Sequence, residues 1–450
     1  MDGLKQRSGM ILVALAALGA FAYVAWRPQA GPAAPAPVAP QATTRPVIAA
    51  PPPQPTATTS LVQRDAQPAA AGATSVAPTA VLGVDLLGPV ILNSTSGPDD
   101  WAMEGSNPSR TRSIDGALAL PLTQRSEVRL DDDRGTGSPL TIARGLMLVE
   151  SQNRLRAIDI KSGVERWSFP LVGVYISPAV AGKYVFVRSE AGNKGQLLAL
   201  DINTGKQLWA FTPKRLSSPD NSYFGGHLTS PVVVDGIMFI GAGQEVYALD
   251  ANTGAVRWTF AAKDYISSSA TVSQGQVYIS DFRYFYALNQ QSGTVVWSYP
   301  TALSIYFAPV VAAQTVLLND GKGLIALDTA SGKQLWMANI PSQTLIPGAV
   351  SGSRVFVKSV SSLYALDLAS GKELWRVDDR NFISLPAVTS DQVFVVKGSG
   401  ADAAIVAFDV VSGQSAWSQP VAALATSAPV IAGKTIYVRT GDGRVLSFWH

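Results

Sequence analysis

The nine residues Asp328-Thr329-Ala330-Ser331-Gly332-Lys333-Gln334-Leu335-Trp336 decide the fold of this chain. An Asp side chain can hydrogen-bond to the backbone two residues further on and open a tight turn, and Gly supplies the positive φ that a short hairpin loop needs. The chain then returns as a second strand that ends on Trp336. The stretch therefore predicts a strand, a turn and an antiparallel strand.

The same signature, Asp/Asn-x-x-Ser/Thr-Gly-x-x-x-Trp, occurs seven times. Another hairpin lies upstream of each copy, as in Ser230–Val234, Asp235-Gly236 and Ile237–Ile240, and no helical spacing separates the runs. Four short antiparallel strands per period are typical of a β-propeller blade. The signature tryptophans, spaced by 42, 49, 39, 39, 39 and 42 residues, are Trp167, Trp209, Trp258, Trp297, Trp336, Trp375 and Trp417.

The number of blades follows from the first strands, which begin eight times, from Ser138-Pro139 to Ala428-Pro429. The last unit ends at Arg444–His450, where no fourth strand is left. A ring that does not close leaves an open strand edge, and Ser126–Arg129, before the first complete blade, can supply the missing strand. We therefore predict an all-β, eight-bladed propeller of four-stranded antiparallel blades whose ring is closed by an N-terminal strand.

These repeats resemble the pyrroloquinoline-quinone (PQQ) type of repeat, found in quinoprotein alcohol dehydrogenases and in many non-enzymatic bacterial propellers. The segment from Asp100 to Thr111, DWAMEGSNPSRT, is similar to the lead-in that many members carry before their first blade. In blade type and count the chain also resembles the propeller lipoproteins of the outer-membrane barrel-assembly machine, which carry a lipidated Cys that is missing here. The resemblance implies that the seven signature tryptophans are structural and dock between adjacent blades.

The N-terminal 27 residues predict a membrane signal. Lys5 and Arg7 precede the uncharged run Ser8–Trp26, which is either an uncleaved anchor of about 28 Å or a signal peptide cleaved near Ala22. Residues 28–97 form a Pro/Ala-rich segment that predicts a disordered linker to the propeller at 98–450. We expect the propeller on the extracytoplasmic side of the cell membrane, or secreted or periplasmic if the signal is cleaved.

Composition excludes several classes of function. The chain has no Cys, only two His and a net charge of +3, which removes thiol chemistry and gives no reason to propose nucleic acid as a partner. The resemblance implies that PQQ and a divalent cation would lie at the centre of the ring in a dehydrogenase, but those enzymes carry a Cys-Cys pair and longer insertions. We therefore expect neither PQQ nor Ca²⁺ as a cofactor and no catalytic or metal-binding residue, with a PQQ-binding quinoprotein oxidoreductase as the alternative.

The remaining functional signal lies in residues that precede the first strands, because these should surround one mouth of the channel. Exposed aromatic side chains at a rim often mark a binding face, although ordinary loop packing is the alternative. The sequence predicts a non-catalytic, monomeric scaffold, tethered in the cell envelope, that binds a protein or peptide partner there. The candidate binding residues are Tyr175, His227, Asp264, Tyr265, Tyr306 and Phe382.

Overall fold

The architecture was analysed in a computed structural model of the chain. It describes residues 100–130, 139–171, 177–189, 195–214, 229–340, 345–379, 381–398 and 403–450. The membrane signal predicted for residues 1–27 and the linker predicted for residues 28–97 lie outside these ranges. Within the ranges there is no helix, and hence no helix that could cross a membrane.

The strands form eight four-stranded antiparallel sheets, which confirms the predicted eight-bladed propeller. Strands are counted outward within a blade, and blades along the chain. The first strands are Thr141–Ala143, Ala179–Ala181, Val232–Val234, Thr271–Ser273, Val310–Ala312, Ile346–Ser351, Ala387–Val388 and Val430–Ala432. The second strands are Leu146–Ser151, Tyr184–Ser189, Ile237–Ala242, Gln276–Ser280, Thr315–Asn319, Arg354–Lys358, Gln392–Lys397 and Thr435–Arg439. The third strands are Arg154–Asp159, Gln196–Asp201, Glu245–Asp250, Tyr284–Asn289, Leu324–Asp328, Ser362–Asp367, Ala404–Asp409 and Arg444–Trp449. The fourth strands are Glu165–Pro170, Gln207–Phe211, Val256–Ala261, Val295–Pro300, Gln334–Met337, Glu373–Asp378, Ser415–Pro420 and, in blade 8, Thr123–Arg129.

Each signature Trp lies opposite an Ala of the third strand, and a bulge next to the pair accommodates one extra residue of the fourth strand. The facing Ala has no exposed surface, and its small side chain leaves room for the indole. This recurring Ala is a sequence signal that the pattern of Asp, Gly and Trp alone does not capture. The facing pairs are Ala157–Trp167, Ala199–Trp209, Ala248–Trp258, Ala287–Trp297, Ala326–Trp336, Ala365–Trp375 and Ala407–Trp417.

The indole of one blade also contacts the signature turn of the next blade, and we call this contact the blade lock. Trp167 donates a hydrogen bond from Nε1 to the carbonyl oxygen of Ile202 at 2.7 Å. Gly205, at φ +69°, lies so close that a Cβ built on it would be 2.6 Å from the Trp167 ring. Only Gly satisfies both the backbone angle and the close approach. The same hydrogen bond joins Trp209 to Ala251, Trp258 to Gln290, Trp297 to Thr329, Trp336 to Leu368 and Trp375 to Val410.

The ring closes as predicted, because Thr123–Arg129 pairs antiparallel with Arg444–Trp449. Ser126 and Ser447 face each other at the position where the other blades have Trp and Ala. The preceding Trp417 accordingly lacks a signature turn to contact, and it packs edge-on against Phe448 at a centroid distance of 6.4 Å. Blade 8 is thus built from strands at both ends of the propeller sequence, and its contact with blade 7 does not use the blade lock.

Residues 100–116, which we call the lead-in segment, run across the channel and bond to the first strands. Trp101 exchanges two main-chain hydrogen bonds with Ile142 of blade 1, and Trp101 and Met103 are each 2% exposed. Main-chain N–H groups of five other blades donate to carbonyl oxygens of the segment, which therefore follows the inner edge of the ring. These bonds run from Val180 to Ala102, Val272 to Pro108, Val311 to Ser109, Val350 to Thr111 and Val388 to Arg112.

Candidate functional site

The connections between strands lie on two opposite faces of the ring. The turn face carries the connections from first to second and from third to fourth strands, such as Gln274–Gly275 and Gln290–Thr294. The funnel face carries the connections from second to third strands, such as Asp281–Arg283, and those between blades, such as 262–270. These two faces differ in chemistry.

Polar groups on the turn face are used by the turns themselves. Oδ1 of Asp328 accepts hydrogen bonds from the backbone N–H of Ser331 at 2.8 Å and from its hydroxyl at 2.6 Å. These bonds hold the pKa of the Asp328 carboxyl below its usual value. The same contact from Oδ1 to the Ser or Thr N–H recurs in the other signature turns that begin with Asp, so these carboxylates hold the turns together.

On the funnel face, the connection Asp281–Arg283 of blade 4 organises a polar cluster. The Asp281 carboxylate, fully buried, accepts hydrogen bonds from the Tyr286 hydroxyl at 2.7 Å and from the backbone N–H of Asp264 at 3.1 Å. Burial, together with this hydrogen bond to Asp281, raises the pKa of Tyr286. Arg283 extends from the same connection to the Asp264 carboxylate at 3.1 Å. These two contacts join the connection between blades 3 and 4 to the connection Asp281–Arg283.

Next to this cluster, blades 4 and 5 expose apolar side chains, which together with the cluster we call the rim site. The rings of Phe282 and Tyr306 lie 6.2 Å apart, and Tyr306 is 47% exposed. Leu303 is 62% exposed, and its side chain covers the backbone of Gly321 closely. Lys263 places its ammonium 4.0 Å from the centroid of the Tyr284 ring. The rim site thus combines exposed apolar surface with a fixed polar base.

The lead-in segment supplies a second cluster, at the end of the channel that opens on the funnel face. Arg110 bonds through Nε to the carbonyl oxygen of Ala270 at 2.8 Å and through Nη1 to Glu104 Oε2 at 3.0 Å. Burial disfavours the charged carboxylate, but Arg110 and Arg112 outweigh it and hold the pKa of Glu104 below its usual value. We call Glu104, Arg110 and Arg112 the channel-floor cluster.

The structure gathers some of the sequence-predicted site residues and separates others. Asp264, Tyr265 and Tyr306 all lie around the connection Asp281–Arg283, and Tyr265 N–H donates to Asp264 Oδ1 at 2.8 Å. Phe382 does not share this exposed rim, because its side chain is 3% exposed and packs edge-on against Phe408. The candidates Tyr175 and His227 lie outside the described residues.

Sequence reasoning missed Asp281, Phe282 and the channel-floor cluster. Asp281 directly follows a second strand, between Ser280 and Phe282, and a carboxylate at that position could have indicated a polar site at the funnel face. The structure adds that the carboxylate is buried. The channel-floor side chains belong to a segment without strand periodicity, so their meeting at the centre of the ring was not readable from the chain.

Lys358, at the end of the second strand of blade 6, is a buried cation. It is 3% exposed, and burial lowers its pKa to about 8. The unfolded chain therefore binds more protons between about pH 8 and pH 10.4, and stability should rise with pH across that window.

We expect Lys358→Met to stabilise the protein at pH 7 by about 3 kcal/mol, because it removes the desolvated charge. Urea unfolding at pH 7 and pH 10 measures both effects, with the exposed Lys161→Met as control. Stabilisation should be smaller at pH 10, where the wild-type amine is largely neutral. An unchanged or lower urea midpoint for Lys358→Met at pH 7 would show that other contacts stabilise the charged amine and offset the cost of its burial.

The channel-floor cluster differs from the usual ligand set of a divalent cation. It offers one carboxylate between two guanidinium groups, whereas Ca²⁺ prefers six to eight oxygen ligands. Across the described residues no group of three or more His, Cys, Asp or Glu side chains is placed to hold a metal ion.

Comparisons with known proteins agree with the blade architecture. The model of the family described as outer membrane protein assembly factor BamB matches residues 92–223, 193–346 and 342–448. Serine/threonine-protein kinase AfsK of Streptomyces griseus is 29% identical over 182 residues, which are 38% of this chain and 20% of that protein. The outer membrane protein assembly factor BamB of Marinobacter adhaerens is 30% identical over 122 residues, covering 27% of this chain and 28% of that protein. The matches thus span less than a third of either relative.

Two solved structures share the fold. BamB from Moraxella catarrhalis superimposes with a TM-score of 0.56 at 17% identity, over 73% of this chain and 100% of that chain. The quinohemoprotein alcohol dehydrogenase of Comamonas testosteroni superimposes with a TM-score of 0.61 at 16% identity, over 78% and 80% of the two chains. At these identities the structures establish a common PQQ-like propeller fold, and the activity has to be argued from the residues of the site.

Proposed function

This chain belongs to the family of outer membrane protein assembly factor BamB, and from this premise we propose that it is an exported, non-catalytic scaffold that binds a protein partner in the cell envelope. The binding surface is the rim site on the funnel face. The family match and the similarity to BamB of Marinobacter adhaerens support a role in envelope assembly.

The observation that carries this proposal is the exposed apolar surface of the rim site. The lead-in segment, by contrast, is bonded to the first strands of six blades and serves the packing of the ring. At the rim, Tyr306 and Leu303 keep 47% and 62% of their surface exposed beside a rigid polar cluster. Exposed aromatic and aliphatic side chains on a fixed base are the usual anchors of protein interfaces.

The second candidate function is a PQQ-binding oxidoreductase, which the similarity to the dehydrogenase of Comamonas testosteroni favours at the level of fold. The channel-floor cluster offers only one carboxylate to a divalent cation and the chain has no Cys, and both observations speak against this candidate. Adding PQQ and Ca²⁺ to the purified protein should therefore produce neither a rise in the unfolding midpoint nor dye-linked alcohol oxidation. Activity in that assay would replace the scaffold proposal.

For location, we propose that residues 1–27 export the chain and that the propeller acts outside the cytoplasmic membrane. The basic flank and the apolar run Ser8–Trp26 support export, with either retention as an anchor or cleavage. Membrane fractionation followed by N-terminal sequencing of the mature protein distinguishes the two, and a chain found only in the cytoplasm would contradict export.

The rim site gives a quantitative prediction for partner binding. Replacing both anchors, in Leu303→Ser/Tyr306→Ser, should reduce the partner recovered by affinity capture from native membranes at least tenfold, since two central anchors together typically contribute about 2 kcal/mol or more. Val411→Ser, on the turn face at a 64% exposed position, is the matched control. Equal recovery with the rim variant and the control would show that binding occurs elsewhere.

A further inference from the structure

The channel-floor cluster holds more positive charge than its own carboxylate balances. Glu104 is the acidic partner, and its Oε2 is already bound by Nη1 of Arg110 at 3.0 Å. Arg110 is 3% exposed and also bonds to the carbonyl oxygens of Ala270 and Glu104, but its Nη2 has no partner among the described residues. One buried guanidinium nitrogen, with its two N–H bonds, is therefore left without an acceptor in the described part of the chain.

Arg112 is the second cation of this cluster. Its guanidinium makes no hydrogen bond to any described residue, although the side chain is only partly exposed and lies within electrostatic range of Glu104 and Arg110. Desolvating a guanidinium without pairing it is unfavourable. The arrangement is thus incomplete as a purely structural ion pair, because two arginines share one carboxylate.

The backbone fixes Arg112 in this position. Its N–H donates to the carbonyl oxygen of Gly105 at 3.0 Å, and its carbonyl accepts from Val388 N–H of blade 7 at 2.9 Å. Its φ of +48° is in the left-handed region, which is uncommon for a residue other than Gly. The backbone of Arg112 is therefore fixed at the channel floor by bonds that do not depend on the charge of its side chain, and the guanidinium lies within electrostatic range of Glu104. Such preorganisation is typical of a binding group.

The net charge selects the ligand class. Two arginines and one glutamate leave a single positive charge, which matches a monoanion, whereas a dianionic phosphate would also meet the negative charge of Glu104. A guanidinium fork presents two parallel N–H donors that fit a carboxylate in bidentate geometry. The ligand must arrive from the funnel face, because Ala270 and Ser230, which contact the cluster, precede the first strands at that end of the channel.

We infer that the channel-floor cluster is a carboxylate-binding site that receives an acidic side chain or the C-terminus of a peptide from the partner. This inference rests on the proposed function and extends it, because it adds a charged anchor to the apolar rim site on the same face. Arg112 provides the free guanidinium, Arg110 orients Glu104, and Glu104 limits the site to a single negative charge.

The test uses the full chain and a matched pair of probes, N-acetyl-diglycine with its free carboxylate and N-acetyl-diglycinamide without one. At constant ionic strength, the carboxylate should raise the unfolding midpoint in a saturable way, and the amide should not. Arg112→Gln should weaken the apparent affinity for the carboxylate at least tenfold, and Arg112→Lys should have a smaller effect. Arg166→Gln, at an exposed ion pair with Asp159 on the turn face, is the control and should bind normally.

Equal stabilisation by the amide, or equal binding by wild type and Arg112→Gln, would overturn the inference. PQQ is a further probe, because it also carries carboxylates, and binding of PQQ without binding of N-acetyl-diglycine would overturn the peptide assignment. Affinity capture of the partner distinguishes a failure of this inference from a failure of the proposed function. If Arg112→Gln retains full capture of the partner while Leu303→Ser/Tyr306→Ser loses it, the scaffold proposal stands and the carboxylate site does not.

Discussion

Trp167→Ala is expected to lower the free energy of unfolding by about 3–5 kcal/mol, the usual cost of removing a buried indole. The side chain is 8% exposed, bonds to Ile202 of the next blade and covers Gly205. Its loss would remove apolar contact within blade 1 and the polar contact to blade 2 together. Urea unfolding followed by tryptophan fluorescence and circular dichroism measures the change, and a loss below about 1 kcal/mol would contradict the blade lock.

The reciprocal change, Gly205→Ala, tests the other half of the same lock. Positive φ alone costs an Ala residue about 1–2 kcal/mol, and the overlap with the Trp167 ring should add about 1–3 kcal/mol. Gly163→Ala is the matched control, since Gly163 has φ +70° but meets only Val128 Cγ2, at 3.6 Å. In the Trp167→Ala background the extra cost at position 205 should disappear, because the overlapping ring is gone. Equal costs at positions 163 and 205 would show that only backbone strain matters.

Removal of the lead-in segment should have the largest effect on stability. A chain that begins at residue 117 lacks Trp101 and Met103, both 2% exposed, and the hydrogen bonds to the first strands of six blades. The two side chains alone account for about 5 kcal/mol or more. A chain that begins at residue 98 keeps the segment and is the control for loss of the N-terminal region.

We expect the chain that begins at residue 98 to unfold at the same urea concentration as the full chain, and the chain that begins at residue 117 to unfold at a much lower one. Trp101→Ala, with an expected loss of about 3–5 kcal/mol, separates the buried indole from the rest of the segment. Equal midpoints for the two shortened chains would mean that the lead-in segment covers the channel without supporting it.

Sequence reasoning was sufficient for features that depend on local repetition. The signature turns around Asp328 and Gly332 and the missing fourth strand after Trp449 could be read from spacing and strand alternation alone. The closing strand was also predictable at Ser126–Arg129, because ring closure requires a partner for the last third strand, and in the structure it begins three residues earlier, at Thr123.

Features that depend on distant partners could not be read in this way. Phe382 is buried against Phe408, which lies on the third strand of blade 7. The lead-in segment is bonded to the first strands through main-chain groups, which every residue type has, so its path leaves no pattern in the sequence. The meeting of Tyr306 with Phe282 likewise requires two connections from neighbouring blades. Periodicity locates strands, but it does not show which connections meet above the channel.

The central claim is that the rim site on the funnel face binds a protein partner, and site-specific photocrosslinking in living cells tests it most directly. A photoreactive phenylalanine analogue replaces Tyr306 in one strain and Val411, the exposed turn-face position, in another. The proposal predicts a discrete crosslinked protein from position 306 and none from position 411. Absence of a crosslink from position 306, or the same product from both positions, would contradict it.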